Sequence, residues 1–139
     1  MIAYSPGDVV LVGFVFADES GRKLRPAVVL SGPAYHRARQ EVIVAAITSN
    51  MGRPRFGDHV LGEWKGAGLL FPSLVTGIIR TIKRTMIQRK LGSLAKPDLD
   101  AVQVQLRRCL ALCPDGPRPI ATRGPVAGRR LPGDAPTMP

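Results

Sequence analysis

Two stretches of the sequence determine the fold, namely Leu24-Arg25-Pro26-Ala27-Val28-Val29-Leu30-Ser31 and Glu41-Val42-Ile43-Val44-Ala45-Ala46-Ile47-Thr48-Ser49. Both are short, nearly continuous apolar runs rich in β-branched residues, which predicts strands buried on both faces. If the two strands pair antiparallel, the start of the first lies beside the end of the second. Arg25 and Thr48 would then meet at one end of a sheet, which we call the rim. An arginine without a partner is rarely buried, so a guanidinium at this place suggests an anion site.

The rest of the chain predicts more strands and then one clear helix. We expect strands at 7–12 (continued by 14–16), 59–64, 73–76 and 77–82, a connector at 34–40, a short helix at 84–90 and an amphipathic helix at 97–112. Several short strands separated by turn signals and followed by a helix indicate a mainly β fold, a small curled β-barrel capped by that helix. Residues 1–113 would form this domain. Residues 114–139 are rich in Pro and Gly and poor in large apolar groups, which predicts a disordered tail.

Charge narrows the range of partners. The 139 residues carry a net charge of +10 and a pI near 10.8, which favours either a polyanionic partner, most simply nucleic acid, or a solvated basic surface. No apolar run is long enough for a membrane span, and the N-terminus has no signal-peptide pattern. We therefore expect no membrane partner. The two cysteines, Cys109 and Cys113, favour buried thiols in a reducing cytoplasm, so a cytoplasmic protein is expected.

The residues of the rim fit phosphate recognition. A guanidinium at Arg25 can fork onto two phosphate oxygens, and the hydroxyl of Thr48 can donate to a third. The alternative is an arginine that snorkels over the edge of the barrel and a threonine chosen for its strand propensity. On the pattern alone, that alternative is favoured.

Further polar side chains would line a basic groove at the rim, because the loops before the first stretch and after the second lie on the same side. The residues expected to bind RNA are Arg22, Lys23, Ser49, Arg53, Arg55 and His59. His59 could reach a phosphate, act as an acid or base, or have a hydrogen-bonded structural role. The sequence contains no paired carboxylates, metal-ligand spacing or Gly-rich phosphate loop, which disfavours metal-dependent nuclease chemistry and ATP use, so no cofactor is expected.

An ordered set of motifs resembles the MazF/PemK toxins of bacterial type II toxin–antitoxin systems. The motifs are Gly7-Asp8-Val9-Val10, Arg25-Pro26-Ala27-Val28-Val29-Leu30-Ser31, Ala45-Ala46-Ile47-Thr48-Ser49, Pro72-Ser73-Leu74-Val75, Ile79-Arg80-Thr81-Ile82 and Leu91-Gly92-Ser93-Leu94. The resemblance covers about residues 6–112. It departs from the family at Lys83, where members often carry an acidic residue.

The resemblance implies an SH3-like β-barrel with a C-terminal helix, a homodimer and a cognate antitoxin protein. It implies a metal-independent endoribonuclease that cuts single-stranded RNA at short sequence motifs and leaves 2′,3′-cyclic phosphate and 5′-hydroxyl ends. The family's catalytic arginine and threonine correspond to Arg25 and Thr48. Two other functions stay open at this point: a CcdB-like toxin that binds DNA gyrase without cutting nucleic acid, and a catalytically inactive RNA-binding barrel.

Overall fold

A computed structural model describes residues 3–15 and 22–112 of the chain. The elements in these residues, in chain order, are β1 (Asp8–Val15), β2 (Arg22–Val29), α1 (Pro33–Arg39), β3 (Glu41–Thr48), β4 (His59–Val60), β5 (Leu74–Lys83), a 3-10 turn (Arg84–Met86), β6 (Ile87–Ser93) and α2 (Lys96–Leu110). The tail predicted at 114–139 lies outside the described residues. None of the helices in the described part is long and apolar enough to cross a membrane.

The strands form one antiparallel sheet in the order β4-β5-β3-β2-β1-β6. In a flat sheet, β5 and β6 would lie about 19 Å apart, since four strand spacings separate them. The four residue steps from Lys83 to Ile87 span at most about 14 Å. The sheet must therefore curl strongly. The predicted mainly β, barrel-like fold with a C-terminal helix is confirmed, although β4 and β6 remain the two edges of an open sheet within the described residues.

Two apolar clusters lie on opposite faces of this sheet. One contains Val9, Val28, Ala45 and Ile47, and helix α2 packs on it through Val102. The other cluster is built from the strand residues next in sequence to those of the first cluster, which face the opposite side of the sheet. Tyr4 of the N-terminal segment packs into it. Its buried members are Tyr4, Val10, Val12, Ala27, Val29, Val42, Val44 and Ile82. Because both faces of β1, β2 and β3 are buried, their strands are continuously apolar instead of alternating, as the sequence indicated.

Two segments differ from the sequence prediction. The expected connector at 34–40 contains helix α1, which has Pro33 at its first turn and ends at Gln40 in the left-handed conformation (φ 59°). The expected short helix at 84–90 is a single 3-10 turn followed by β6. Strand β6 pairs with the open side of β1, and these hydrogen bonds outweigh the local helix propensity of the segment.

The boundaries of other elements shift by a few residues. Strand β4 has only two residues, because the backbone leaves the sheet after Val60 and runs as a loop over the α2 side of the sheet. Arg22 and Lys23 were expected in a loop but form the start of β2, opposite Val15 and Phe14 of β1. Helix α2 begins and ends within two residues of its predicted limits.

Two glycines allow this loop to pack tightly against β6. Gly68 has a φ of +87°, and a Cβ at this position would clash with the carbonyl oxygen of Leu91. A Cβ on Gly92 would lie 2.5 Å from the carbonyl oxygen of Ala67. Loop and strand therefore approach backbone to backbone, which only glycine permits.

We predict that Gly68→Ala destabilises the domain by about 2–4 kcal/mol, from left-handed backbone strain together with overpacking. Gly32→Ala is the matched control, because an added Cβ there meets nothing within 4 Å. It should change stability by less than about 0.5 kcal/mol. Urea unfolding followed by circular dichroism measures both variants. Equal stabilities for the two would show that loop and strand do not pack this closely in solution.

Candidate active site

The rim is formed by the antiparallel pairing of β2 with β3, which was predicted and is present. The paired residues are Ala27 with Ala46, Val28 with Ala45, and Val29 with Val44. In an antiparallel pair, each step forward on one strand is a step back on the other. Continuing the same register by two residues therefore places Arg25 opposite Thr48.

Arg25 is exposed at this position. On its other side it is paired with Val12 of β1, so β2 lies between two strands at the level of the arginine. Its backbone is fixed by the sheet while its guanidinium faces solvent. A cationic side chain carried by a rigid strand suits a group that must meet an anionic ligand.

Thr48 is half-buried at the end of β3, and its hydroxyl shapes the chain that follows. Thr48 Oγ1 accepts a hydrogen bond from the Asn50 backbone N–H at 3.1 Å. The Asn50 side chain in turn accepts a hydrogen bond from the Gly52 N–H at 3.4 Å. The Thr48 hydroxyl is held as an acceptor toward the loop, so its proton can be donated elsewhere. Ser49 beside it is exposed.

A carboxylate that the sequence did not single out holds the basic loop. Asp58 Oδ2 accepts the Arg55 N–H at 2.8 Å, and Asp58 Oδ1 accepts the Gly77 N–H at 3.1 Å. The second bond ties the loop to β5, where the β3–β5 ladder contains an irregularity. Arg53 and Arg55 are both exposed on this loop. In the sequence, the only sign of this role is that an acidic residue directly follows Gly57. The two hydrogen-bond partners of that residue are decided by tertiary packing.

The far side of the same loop rests on helix α2. The guanidinium of Arg108 lies 4.7 Å from the ring centre of the exposed Phe56. Gly57 has a φ of +92°, and a Cβ there would meet the thiol of Cys109. The loop therefore connects the rim to the C-terminal part of α2.

Arg22 and Lys23 begin β2, at the same end of the strand as Arg25, and their contact with RNA stays a prediction. Lys23 is exposed. Arg22 begins the strand, and its side chain is outside the described part of the structure.

His59 lies on the opposite face of the sheet from Thr48. In the β5 ladder Thr48 is opposite Leu74, whereas His59 is opposite Val75, one residue along. Adjacent strand residues face opposite sides of a sheet, so the ring points toward helix α2. There His59 Nε2 and Asp98 Oδ1 are 2.9 Å apart. The structure does not bring His59 together with Arg25 and Thr48.

Asp98, in the first turn of α2, is the buried partner of this histidine. Its carboxylate also accepts the N–H groups of Gly62 and Glu63, each at 3.0 Å. Burial acts to raise the pKa of Asp98, but the hydrogen bonds from Gly62, His59 and Glu63 outweigh it, and the pKa lies below its usual value. This carboxylate fastens the β4 loop to the start of the helix.

Within residues 3–15 and 22–112, no three His, Cys, Asp or Glu side chains lie close enough to hold a metal ion. The rim instead carries cationic and hydroxyl donors. These groups can bind an anion and can stabilise negative charge that develops on it.

Comparison with known proteins places the chain in a family. Residues 5–110 match a family model described as a PemK-like, MazF-like toxin of type II toxin–antitoxin systems. No curated protein matches the sequence.

Solved structures share the fold at low sequence identity. An endoribonuclease from a mycobacterial species superposes with a TM-score of 0.63 at 18% identity, covering 86% of this chain and 98% of its own. A mycobacterial endoribonuclease in complex with its cognate antitoxin superposes with a TM-score of 0.64 at 19% identity, covering 84% of this chain and 100% of its own. A MazF from Deinococcus radiodurans superposes with a TM-score of 0.65 at 19% identity, covering 81% of this chain and 100% of its own. At these identities the likeness shows the fold.

We predict that Asp98→Asn lowers stability at pH 7 by about 2–3 kcal/mol, because an amide cannot accept all three hydrogen bonds. The folded-state pKa of Asp98 is depressed, so its contribution is present above the unfolded pKa and is lost as pH falls through the folded pKa. The difference between wild type and variant should therefore shrink below about pH 4.

The control is Asp100→Asn on the same helix, since that carboxylate is exposed and pairs only with Lys96 in the described structure. It should cost less than about 0.5 kcal/mol. Urea unfolding at pH 7 and pH 3.5 measures both variants. A deficit for Asp98→Asn that is equal at the two pH values would contradict the charged, hydrogen-bonded role.

Proposed function

This chain belongs to the family of PemK-like, MazF-like toxins of type II toxin–antitoxin systems, and we propose that it is an endoribonuclease acting at the rim. The proposed substrate is single-stranded RNA, cut at short sequence motifs without a metal ion. The observation that supports the proposal is the β2–β3 register, because its continuation beyond Ala27 and Ala46 would set Arg25 across from Thr48, beside an exposed basic loop.

The proposed reaction is an internal phosphoryl transfer. The RNA 2′-oxygen bonds to the adjacent phosphorus and loses its proton, while the bond from phosphorus to the 5′-oxygen breaks and that oxygen gains a proton. The products carry a 2′,3′-cyclic phosphate and a 5′-hydroxyl. Negative charge accumulates on the two non-bridging phosphoryl oxygens during this step.

Arg25 and Thr48 would stabilise that charge together. The planar guanidinium can donate two parallel hydrogen bonds to the phosphate. The Thr48 hydroxyl has its acceptor site directed at the Asn50 N–H, which favours donation of its proton toward the phosphate. Arg25 is not a general base, because guanidinium stays protonated in proteins. With His59 engaged by Asp98 on the other face, the arrangement favours water as the group that takes the 2′-proton.

Exposed groups around the rim would bind the flanking phosphates. Lys23, Ser49, Arg53 and Arg55 are exposed near the start of β2 and the end of β3. Their charges contribute affinity that depends on salt, without reading the base sequence.

We propose a homodimer in the bacterial cytoplasm, neutralised by a cognate antitoxin. We propose that β5 and α2 form the interface, because apolar side chains remain exposed on both: Ile78, Val104 and Leu110 are 58%, 45% and 52% exposed. Similar structures include an endoribonuclease bound to its antitoxin. The tail at 114–139 is proposed to be dispensable for cleavage.

We predict that Arg53→Ala and Arg55→Ala each weaken RNA binding and reduce its salt dependence. Each lost phosphate contact should lower the log–log slope by about 0.7 for a single strand. Arg39→Ala is the control, because Arg39 is exposed beside Glu41 at the opposite end of β3. Fluorescence anisotropy with uncleavable 2′-O-methyl RNA at several salt concentrations gives the slopes. Slopes equal to wild type in both loop variants would place the loop away from the RNA.

We predict that Arg25→Ala and Thr48→Val each slow cleavage by about a hundred- to a thousandfold, the usual cost of losing one oxyanion donor. Arg25→Lys should remain strongly impaired, since lysine keeps the charge and loses the fork. The double variant should be little worse than Arg25→Ala, because the two groups act as a unit. Single-turnover cleavage in EDTA measures these rates.

Thr48→Ser is the matched control, because it keeps the hydroxyl and its bond to Asn50. It should retain most of the wild-type rate, and circular dichroism confirms that each variant folds. Near wild-type cleavage by Arg25→Ala would refute the assignment of the reaction to the rim.

A further inference from the structure

Strand β5 contains a bulge where it passes β3. Ala45 and Ile47 of β3 are two residue steps apart, but their partners on β5 are four steps apart. Residues 76–78 of β5 therefore face the single residue Ala46. Such a bulge frees backbone groups of the longer strand from the ladder and can direct them elsewhere, and bulges are frequent beside active sites.

The bulge directs one backbone donor toward the basic loop. The Thr76 hydroxyl donates to the Ala46 carbonyl oxygen at 2.8 Å and accepts the Ile78 N–H at 3.1 Å, so it satisfies the groups nearest β3. The N–H of Gly77, which lies between these two residues of β5, donates instead to Asp58 Oδ1 at 3.1 Å. The extra residues of β5 thus provide an anchor for Asp58.

Asp58 also closes the turn at residues 55–58. Its N–H donates to the Arg55 carbonyl oxygen at 3.0 Å, and its Oδ2 accepts the Arg55 N–H at 2.8 Å. Gly57 has a φ of +92° at the third position, as in a type II turn. The turn rests directly on β5, because a Cβ on Gly77 would lie 3.6 Å from the Gly57 Cα. One carboxylate therefore fixes both the shape of this turn and its place on the sheet.

Both ends of the basic loop are thus held beside the rim. Thr48 Oγ1 holds its first residues by a backbone hydrogen bond, and Asp58 holds its last ones. Arg53 and Arg55 are exposed between these two points. Asp58 is the only acid in residues 49–58, so its charge opposes the binding of any anion by the two arginines. A carboxylate in this place is explained by the backbone groups that it holds.

We propose that Asp58 is a positioning residue for RNA binding, a role that rests on the proposed function of the rim. Its hydrogen bonds hold the loop in the conformation in which Arg53 and Arg55 contact phosphates. A loop that is already ordered loses less conformational freedom on binding, and ordering one side chain typically opposes affinity by about two- to tenfold. Removal of this acid should therefore weaken RNA binding, although it makes the loop more basic.

The test is the affinity of full-length Asp58→Asn for the uncleavable 2′-O-methyl RNA, measured by fluorescence anisotropy. The amide has one acceptor oxygen in place of two, so the N–H of Arg55 or that of Gly77 loses its carboxylate partner. Binding should be about three- to tenfold weaker than that of the wild type. A charge effect alone would act in the opposite direction, so affinity equal to or tighter than wild type would overturn the proposal.

Asp100→Asn is the matched control for charge. It makes the same change in net charge at an exposed carboxylate, which pairs with Lys96 on α2. It should change RNA affinity less than about twofold. A loss as large as that of Asp58→Asn would show that the effect does not arise in the basic loop.

A double-mutant cycle with Arg55→Ala separates positioning from a general effect on stability. In the Asp58→Asn background the contact of Arg55 with RNA is already weakened, so Arg55→Ala should cost less affinity there than in the wild type. Urea unfolding and circular dichroism show that each variant is folded under the binding conditions. Strictly additive losses would contradict the positioning role.

Thr76→Val tests the same anchor from the side of the sheet without a change in charge. The substitution removes the hydroxyl that shapes the bulge, whereas Thr76→Ser keeps it. RNA binding should weaken in Thr76→Val and remain near wild type in Thr76→Ser. Equal affinities of these two variants would also count against the proposal.

The outcomes for the wild type distinguish this role from the proposed function. If the wild-type protein neither binds nor cuts RNA, the proposed function is refuted, and the positioning role with it. If the wild type binds and cuts RNA while Asp58→Asn binds it equally well, only the positioning role is refuted.

Discussion

The register between β2 and β3 is the constraint on which the rest of the structure depends. Ala27, Val28 and Val29 are fully buried, with alternate residues in two different clusters. A slip of one residue would move each side chain to the other face and place the wrong volume in both clusters. The packing of apolar groups thus fixes the position of two polar ones, Arg25 and Thr48, which contribute little to the core. The packing of the neighbouring aliphatic residues therefore sets the positions of the groups at the rim.

Outside the core, two carboxylates fix loops in place through hydrogen bonds. Asp58 ties the basic loop to β5, and Asp98 ties the β4 loop to helix α2. Each accepts backbone N–H groups that would otherwise lack partners in irregular segments, and charged acceptors make such bonds strong. In a chain with a net charge of +10, these few acids stabilise loops while the exposed surface stays basic. A basic surface and an ordered scaffold are therefore compatible.

The sequence predicted the strands whose pattern records burial on both faces, and it predicted α2 from its apolar spacing. The short strands separated by turns predicted the curled barrel, and the resemblance added the family, which the family match confirms. The prediction from the sequence pattern failed at β6, because Ile87–Ser93 becomes a strand only when the open side of β1 offers it hydrogen bonds. It also failed at α1, a short helix without an apolar stripe to reveal it.

Among the candidate site residues, Arg25 and Thr48 lie at the same rim, as antiparallel pairing predicted. His59 could not be placed from sequence, because one residue of register decides which face of the sheet its ring occupies.

The central claim is that the rim cleaves RNA through attack of the 2′-hydroxyl, stabilised by Arg25 and Thr48. A direct test uses a short RNA that the purified protein cuts in EDTA, together with the same RNA carrying a single 2′-deoxy nucleotide on the 5′ side of the cut. Mass spectrometry of the products identifies the new ends. The account predicts a 2′,3′-cyclic phosphate from the all-ribose RNA and no cut at the deoxy position. Cleavage of the deoxy substrate at that position, or a product with a 5′-phosphate end, would contradict it.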